Sequence, residues 1–488
     1  MKRRDFIKQS GLAVGGTAAF AMYEVLDAED SIVYAFPTSG GMGIEEANYY
    51  IERGKDKNTI PDVRPEIKDN PRAVFLIETH VDAQKNAEGF YPDTADQLRA
   101  EGQRIARLLL VKGTNKGGST FIKPNFCDVG KRRYYKRNNG VLTAPDFIVG
   151  VVEHLREIGN TNVACGEAPT NAVNHRFNGV YDSFDPYNIL MIEAGYQRFE
   201  HYNKNELNWS DPVDSPVWNR IPYYKPILDK DNFLINISAM KPHVTAITTL
   251  TVKNLQGCVP RGYGQFCWPG IQLELQAETA GIDFSRGFQK DAIQNIEKWY
   301  ARHRAAGFKY WEKKMFGDYD TYVKLGGYET YNKVKKDSSA RGNFLKQIGN
   351  SLFREESWMH RGLDNAKTLK PNLNIIEGII AMDGDAHDWG GNHSDYLVNI
   401  IVAGCSPFEV DAVGSYIMGH DPREVWYTRV AKEKEYGECD PEKIDIKWIR
   451  ENGDIVPVKN LAGIKRCPLG LDLLSRSGSG KPDDYLFW

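Results

Sequence analysis

Short runs of consecutive apolar residues recur along this chain, and they limit its fold more than any other feature. A run without polar alternation is typical of a strand buried on both faces of a parallel sheet. Helical periodicity separates several runs, as at 94–110 and at 145–158, where Gly159 follows the end. The six runs are residues 73–77, 120–123, 163–166, 233–238, 373–376 and 398–403.

The alternation of strands and helices predicts an α/β fold, with a mostly parallel sheet and helices on its faces. We assign residues 29–72 to an N-terminal arm, 73–280 to the first part of the core, and 371–488 to its second part and the C-terminal tail. In such sheets ligands bind at the carboxyl ends of the strands, so the residues that follow each apolar run are the first candidates for a site.

Residues 281–370 interrupt this pattern. The segment is polar and aromatic, and its large residues recur at helical spacing, as at Ile293, Ile296 and Trp299. We predict an aromatic-rich helical insertion over the core. Its aromatic rings either form a platform on which a sugar stacks or pack as a buried helix stripe, and the second alternative is favoured.

The N-terminus, residues 1–28, has the pattern of a twin-arginine export signal. Arg3 and Arg4 are adjacent, Phe6 and Lys8 follow, and a weakly apolar stretch runs from residue 10 to 22. That stretch is shorter than the about 20 residues that a membrane-spanning helix needs. We predict a periplasmic or otherwise exported protein that the twin-arginine machinery recognises. The alternative is a basic tail ahead of a helix.

Composition agrees with a folded exported protein. The chain has 488 residues, of which 41% are hydrophobic and 26% charged, and its formal charge is −3. An acidic chain argues against a nucleic-acid partner, whose phosphates need a basic surface. No other stretch is long and apolar enough to predict a stable membrane span.

The seven cysteines are scattered. The chain contains no C-x-x-C, so the usual signature of ferredoxins and zinc ribbons is missing. Cys258 and Cys267 are the closest pair and either form a disulfide or, as we favour for most of the cysteines, remain core thiols.

Polar residues follow the apolar run that ends at residue 238. The pattern predicts a helix from 244 to 256 that stops at Gly257, with Thr245, Thr249 and Lys253 on one face. A threonine face that ends in lysine suits hydrogen bonding to an anionic ligand, and the alternative is a polar face in contact with water.

A loop from 383 to 393 carries carboxylates at alternate positions and two imidazoles. Oxygen and nitrogen donors in a tight loop suit a divalent cation, so we predict a metal site there. The alternative is a turn-forming Asp/Gly loop without metal. The predicted ligands are Asp383, Asp385, His387 and His393.

Several of these motifs, in this order, resemble the family known as domain of unknown function 362. They are Lys123-Pro124-Asn125, Lys241-x-His243 with Thr245, Lys253-Asn254-Leu255-x-Gly257, and a later series from Asn374 through Met382-x-Gly384-Asp385 to Gly419. The resemblance spans about residues 73–421, and it departs from the family pattern at Glu377 and His387. Some members of the family carry iron–sulfur cysteine motifs, and this chain is similar to exported members that lack them.

Together the motifs predict a cleft of lysines and carboxylates at the strand ends, where charged neighbours shift each other's pKa values toward acid–base work. The candidate catalytic residues are Lys123, Glu167, Lys241, Lys253 and Asp411, and the candidate substrate-binding residues are Asn125, His243, Thr245, Thr249 and Asn254.

Three functional classes follow. The first is an enzyme for a small anionic or carbohydrate-derived substrate, with or without a divalent metal as its cofactor. The second is a redox accessory protein with an iron–sulfur cluster, which the scattered cysteines disfavour. The third is a binding or assembly module without turnover.

Overall fold

The computed structural model describes residues 43–127, 136–168, 178–193, 204–213, 215, 220–243, 246–260, 352–384 and 393–470. The strands in this part of the chain are β1 (Thr59–Val63), β2 (Val74–Glu78), β3 (Leu110–Lys116), β4 (Ser119–Pro124), β5 (Val163–Glu167), β6 (Leu190–Glu193), β7 (Leu207–Ser210), β8 (Ile221–Tyr224), β9 (Asn232–Ala239), β10 (Lys241–His243), β11 (Ile247–Thr249), β12 (Leu373–Gly384), β13 (His393–Gly404), β14 (Ile446–Ile449) and β15 (Ile455–Pro457). The helices are α1 (Ile44–Gly54), α2 (Pro65–Lys68), α3 (Ala95–Leu109), α4 (Pro145–Glu157), α5 (Val180–Phe184), α6 (Thr251–Asn254), α7 (Leu352–Leu369), α8 (Pro407–Ile417) and α9 (Trp426–Glu433).

Nine of the strands form one sheet in the order β15-β14-β2-β13-β12-β9-β4-β5-β6. Five neighbouring pairs are parallel, and β13 and β15 run against their neighbours. The prediction of an α/β fold with a mostly parallel sheet is therefore confirmed, and all six apolar runs, apart from the first residue of the run at 73–77, lie in strands of this sheet.

Apolar clusters cover both faces of the sheet, as expected for strands without polar alternation. Along β2, Phe75 and Ile77 pack with α3 and α4 on one face, whereas Val74 and Leu76 pack with α8 on the other. Helices α3 and α4 approach each other closely at Gly102. A Cβ at this position would lie only 2.0 Å from the carbonyl oxygen of Phe147.

The predicted helix from 244 to 256 is wrong. Strands β10 and β11 pair antiparallel there, and only four residues of α6 and the 3-10 turn Leu255–Cys258 are helical. Seven β-branched residues between positions 244 and 252 disfavour a helix and favour extended backbone. Thr249 and Lys253 consequently do not share a helix face, and Thr245 lies outside the described residues.

The structure also changes the start of the predicted metal-binding loop at 383–393. Strand β12 continues beyond residue 380 to Gly384, and β13 begins at His393, so Asp383 belongs to a strand and not to a loop. The two strands pair antiparallel along most of their 12 residues each.

The terminal and inserted segments are described in part. From Gly43 the predicted N-terminal arm contains α1, β1 and α2, and β1 pairs antiparallel with β3. Residues 1–28 and most of the predicted insertion lie outside the described residues, and α7 ends that insertion. No helix within the described ranges has the length and apolar character that crossing a membrane requires.

Candidate functional site

The carboxyl ends of the parallel strands bring several predicted residues to one edge of the sheet. Lys123 is the penultimate residue of β4, Glu167 is the last residue of β5, and Lys241 begins β10, two residues after the end of β9. Because these strands run parallel, their polar ends lie side by side, where ligands bind in α/β sheets.

Lys123 forms a buried ion pair with Glu167. Its side chain is 0% exposed, and Nζ lies 2.7 Å from Glu167 Oε2, 3.2 Å from Asn254 Oδ1 and 2.5 Å from the carbonyl oxygen of Pro124. An ammonium has three donors, and each has an acceptor here. The pair therefore joins the ends of β4 and β5 to α6.

The 3-10 turn after α6 packs against this ion pair. The carbonyl oxygen of Gly257 accepts hydrogen bonds from Tyr224 Oη and from the amide of Ala168, each at 3.0 Å. A Cβ at this glycine would lie 1.7 Å from Glu167 Oε1 and 2.7 Å from Lys123 Nζ. Only a residue without a side chain fits between the turn and the ion pair.

A chain of asparagine side chains extends from the ion pair across the sheet. Asn254 Nδ2 donates to Asn236 Oδ1 at 2.8 Å and to the carbonyl oxygen of Lys123 at 3.0 Å. Asn236 Nδ2 in turn donates to Asn374 Oδ1 at 2.9 Å. These bonds connect α6 with β4, β9 and β12 in the interior, where an amide is stable only when it is hydrogen-bonded.

Asp411 of α8 caps the first turn of α6. Its Oδ1 accepts from the amide of Thr251 at 2.7 Å and from the hydroxyl at 2.5 Å, and Oδ2 accepts from the amide of Val252 at 2.9 Å. Burial raises the pKa of this carboxyl to about 7, against the opposing effect of the three hydrogen bonds. Asp411 thus fixes the orientation of the first turn of α6.

Lys241 makes contacts that are separate from those of this ion pair. Its side chain is 1% exposed, and Nζ donates to the carbonyl oxygen of Val141 at 2.6 Å and to Cys127 Sγ at 3.0 Å. In the described part of the chain, no carboxylate oxygen lies within ion-pairing distance of this nitrogen.

Glu377 is a third buried carboxyl near the same edge, after Glu167 and Asp411. It is 0% exposed, and it accepts hydrogen bonds from the amides of Ala144 at 3.1 Å and Ile379 at 2.9 Å. Burial raises its pKa to about 7. Glu377 therefore ties the segment before α4 to the bulge in β12, where the register with β13 shifts.

The comparison with known families gives one match. The model of the family described as Domain of unknown function (DUF362) matches residues 120–416, more than half of the chain. The chain belongs to the DUF362 family. Neither the comparison with curated proteins nor that with solved structures gave a match.

The DUF362 match contains every predicted catalytic and substrate-binding residue. The structure brings Lys123, Glu167, Asn125 and Asn254 into one hydrogen-bonded group, because Asn125 Nδ2 donates to Asn254 Oδ1 at 3.1 Å. It places Lys241 in a separate group with Cys127.

Two of the remaining candidates lie in the hairpin that replaces the predicted helix. Thr249 is the ladder partner of Lys241, its side chain is buried, and its Oγ1 has no hydrogen-bond partner in the described part of the chain. His243 Nδ1 accepts from the amide of Ala246 at 3.2 Å. Lys253 is half-buried on α6.

The predicted metal ligands of this DUF362 chain are only partly described. Asp383 Oδ1 accepts from the amides of Gly384 and Gly470. Asp385, His387 and the side chain of His393 lie outside the described residues, so the metal site stays a prediction. Among the residues that the structure does describe, no cluster of three or more His, Cys, Asp or Glu could hold a metal ion.

Sequence reasoning missed Asn236 and Cys127 as members of this edge. Asn236 stands inside the apolar run at 233–238, and an amide in a buried strand must be hydrogen-bonded, which is a signal that could have identified it. Cys127 carries no such signal, because only the fold brings it beside Lys241.

Proposed function

We propose that this DUF362 protein is exported by the twin-arginine machinery and is an enzyme for a small, anionic, hydroxylated substrate that binds beside Lys241. The buried ammonium of Lys241, which contacts no carboxylate among the described residues, is the observation that carries the proposal. Sugar acids and sugar phosphates are the compounds with this chemistry.

Charge is the first support. A buried charge is costly unless an opposite charge and hydrogen bonds compensate for it. The contacts of Lys241 Nζ are a sulfur and a carbonyl oxygen, neither of which is a carboxylate. A carboxylate or phosphate on the substrate would supply the missing negative charge, and a lysine binds either as a point charge.

The second support comes from buried polar atoms at the same strand ends. Among the described residues, Asn125 Oδ1 and Thr249 Oγ1 have no hydrogen-bond partner, although Asn125 is only 7% exposed and Thr249 is fully buried. The large majority of buried side-chain polar atoms in proteins are paired. Hydroxyl groups on the substrate would pair with both, which favours a hydroxylated anion over a simple one.

Lys123 is the less suitable cation. Its three donors are all used by Glu167, Asn254 and Pro124, so a substrate would have to displace a buried partner. We therefore propose that Lys123 and Glu167 hold the strand ends in place and that Lys241 binds the anion.

The test is a thermal-shift screen of the purified protein with sugar acids, sugar phosphates and uncharged sugars. We expect an anionic hydroxylated compound to raise the melting temperature of the wild type and of Lys459→Met, which removes an exposed lysine. We expect no such rise in Lys241→Met. An equal rise in Lys241→Met, or a response to uncharged sugars alone, would contradict the proposal.

A further inference from the structure

We infer that Cys127 is a nucleophilic thiol, activated by Lys241, that forms a covalent bond with a small carbon electrophile. The inference goes beyond the proposed anionic substrate but concerns the same ammonium, because a thiolate at Cys127 and a bound anion would each neutralise Lys241.

Contact between the two side chains is the first step of the argument. Lys241 Nζ lies 3.0 Å from Cys127 Sγ, within hydrogen-bonding distance for a sulfur acceptor. The nucleophilic form of cysteine is the thiolate, and lysine neighbours are among the groups that favour it. Since Lys241 has no carboxylate neighbour in the described part of the chain, its charge is directed at the sulfur.

Unsatisfied polar atoms at the same place point to a ligand. Asn178 is 0% exposed, its Nδ2 donates to the carbonyl oxygen of Cys127 at 3.2 Å, and its Oδ1 has no partner among the residues that the structure describes. Within the same ranges, the hydroxyl of Thr249, the ladder partner of Lys241, is also unpaired. Buried atoms of this kind are normally paired, so a molecule held beside Cys127 would satisfy them.

Exposure separates Cys127 from most other thiols of the described chain. Cys165, Cys258 and Cys439 are buried, whereas Cys127, Cys405 and Cys467 are half-buried. Burial raises the pKa of Cys405 to about 11 and also raises that of Cys467. Cys405 is therefore a matched comparison, because its sulfur contacts a backbone carbonyl, at 3.9 Å from Ile67, and among the described residues no ammonium donates to it, while Lys68 acts on it only at longer range.

The chemistry balances without an added oxidant. With iodoacetamide as the probe, the sulfur forms a bond to the methylene carbon, the carbon–iodine bond breaks, iodide leaves and the thiol proton passes to solvent. A bound metabolite that carries a leaving group on a saturated carbon would react in the same way: the sulfur–carbon bond forms, the bond from that carbon to the leaving group breaks, the group departs as an anion, and the thiol proton passes to solvent.

The experiment measures alkylation rates of each cysteine by mass spectrometry of peptides from the intact protein. We expect Cys127 to react at least about tenfold faster than Cys405 near neutral pH. A rate for Cys127 no greater than that for Cys405 and Cys467 would overturn the inference.

Two variants test the part played by Lys241. Lys241→Met should slow Cys127 by about tenfold and Lys241→Arg, which keeps the charge, by much less. The rate of buried Cys258 reports whether each variant stays folded. An unchanged rate for Cys127 in folded Lys241→Met would contradict activation by the ammonium. If that variant unfolds, two other comparisons decide: the rate of Cys127 in Lys241→Arg against its rate in the wild type, and the rate of Cys127 against that of Cys405.

Discussion

Individual buried carboxyls set the local stability of this edge of the sheet, and Asp411 is the clearest case. Asparagine at this position keeps one acceptor but turns an amide donor toward the amide of Val252. We expect Asp411→Asn to lower the free energy of unfolding by about 1–3 kcal/mol, the cost of an unpaired buried donor.

Urea denaturation at about pH 5 is the best measurement of how Asp411→Asn changes the free energy of unfolding. Below its pKa of about 7 the Asp411 carboxyl is neutral, as the asparagine amide is, so the two proteins do not differ in charge at this position. Glu424→Gln is the matched control, since it neutralises an exposed carboxylate nearby. Equal stability of Asp411→Asn and Glu424→Gln would show that the cap of α6 contributes nothing.

Glu377 makes stability depend on pH. Its pKa rises from the ordinary 4.5 to about 7 on folding, so between these values the folded chain binds more protons than the unfolded chain. The contribution of this group to stability is therefore complete below 4.5 and is lost as the pH rises to about 7. The loss amounts to roughly 3 kcal/mol.

Glu377→Gln isolates this contribution, because glutamine does not titrate while Asp411 titrates in both proteins. We expect the free energy of unfolding of the wild type to fall more steeply than that of Glu377→Gln between about pH 5 and about pH 8. Parallel pH profiles for the two proteins would rule out a raised pKa for Glu377.

At the scale of elements, the contact between the 3-10 turn Leu255–Cys258 and the strand ends is the tightest. A methyl group at Gly257 would overlap Glu167 Oε1 and push against Lys123 Nζ. We expect Gly257→Ala to destabilise the protein by about 1–3 kcal/mol or more, as overpacking does in cores. Urea denaturation of Gly463→Ala supplies the control, since a Cβ there meets nothing within 4 Å. Two equally stable variants would contradict the predicted close packing.

The strands were predictable because their apolar runs leave few alternatives, whereas the hairpin of β10 and β11 was not. The spacing of Thr245, Thr249 and Lys253 satisfies a helical period, but the β-branched residues around them favour extended backbone. Ile247 has a positive φ of 65°, which a side-chain pattern does not reveal. The helical spacing of these residues and their propensity for extended backbone disagree, and the pairing of β10 with β11 stabilises the extended conformation.

At the scale of the whole molecule, the sequence predicts the class of the sheet but not its order. Strand β2 lies between β13 and β14, both more than 300 residues away along the chain. Strand β14 has the mixed sequence Ile446-Lys447-Trp448-Ile449, with no apolar run to mark it. The candidate site was only partly predictable for the same reason, since the contact between Cys127 and Lys241 joins residues 114 positions apart.

The predicted route of export is also a property of the whole chain, because the twin-arginine machinery carries folded proteins. Recognition should depend on the two adjacent guanidinium groups, whose planar donors lysine lacks, and not on positive charge alone. We expect Arg3→Lys/Arg4→Lys to leave the precursor in the cytoplasmic fraction, as measured by cell fractionation and immunoblotting. Lys2→Arg/Lys8→Arg, which keeps the charge and the arginine pair, should be exported like the wild type. Normal export of the Arg3→Lys/Arg4→Lys protein would instead favour the alternative of a basic tail ahead of a helix.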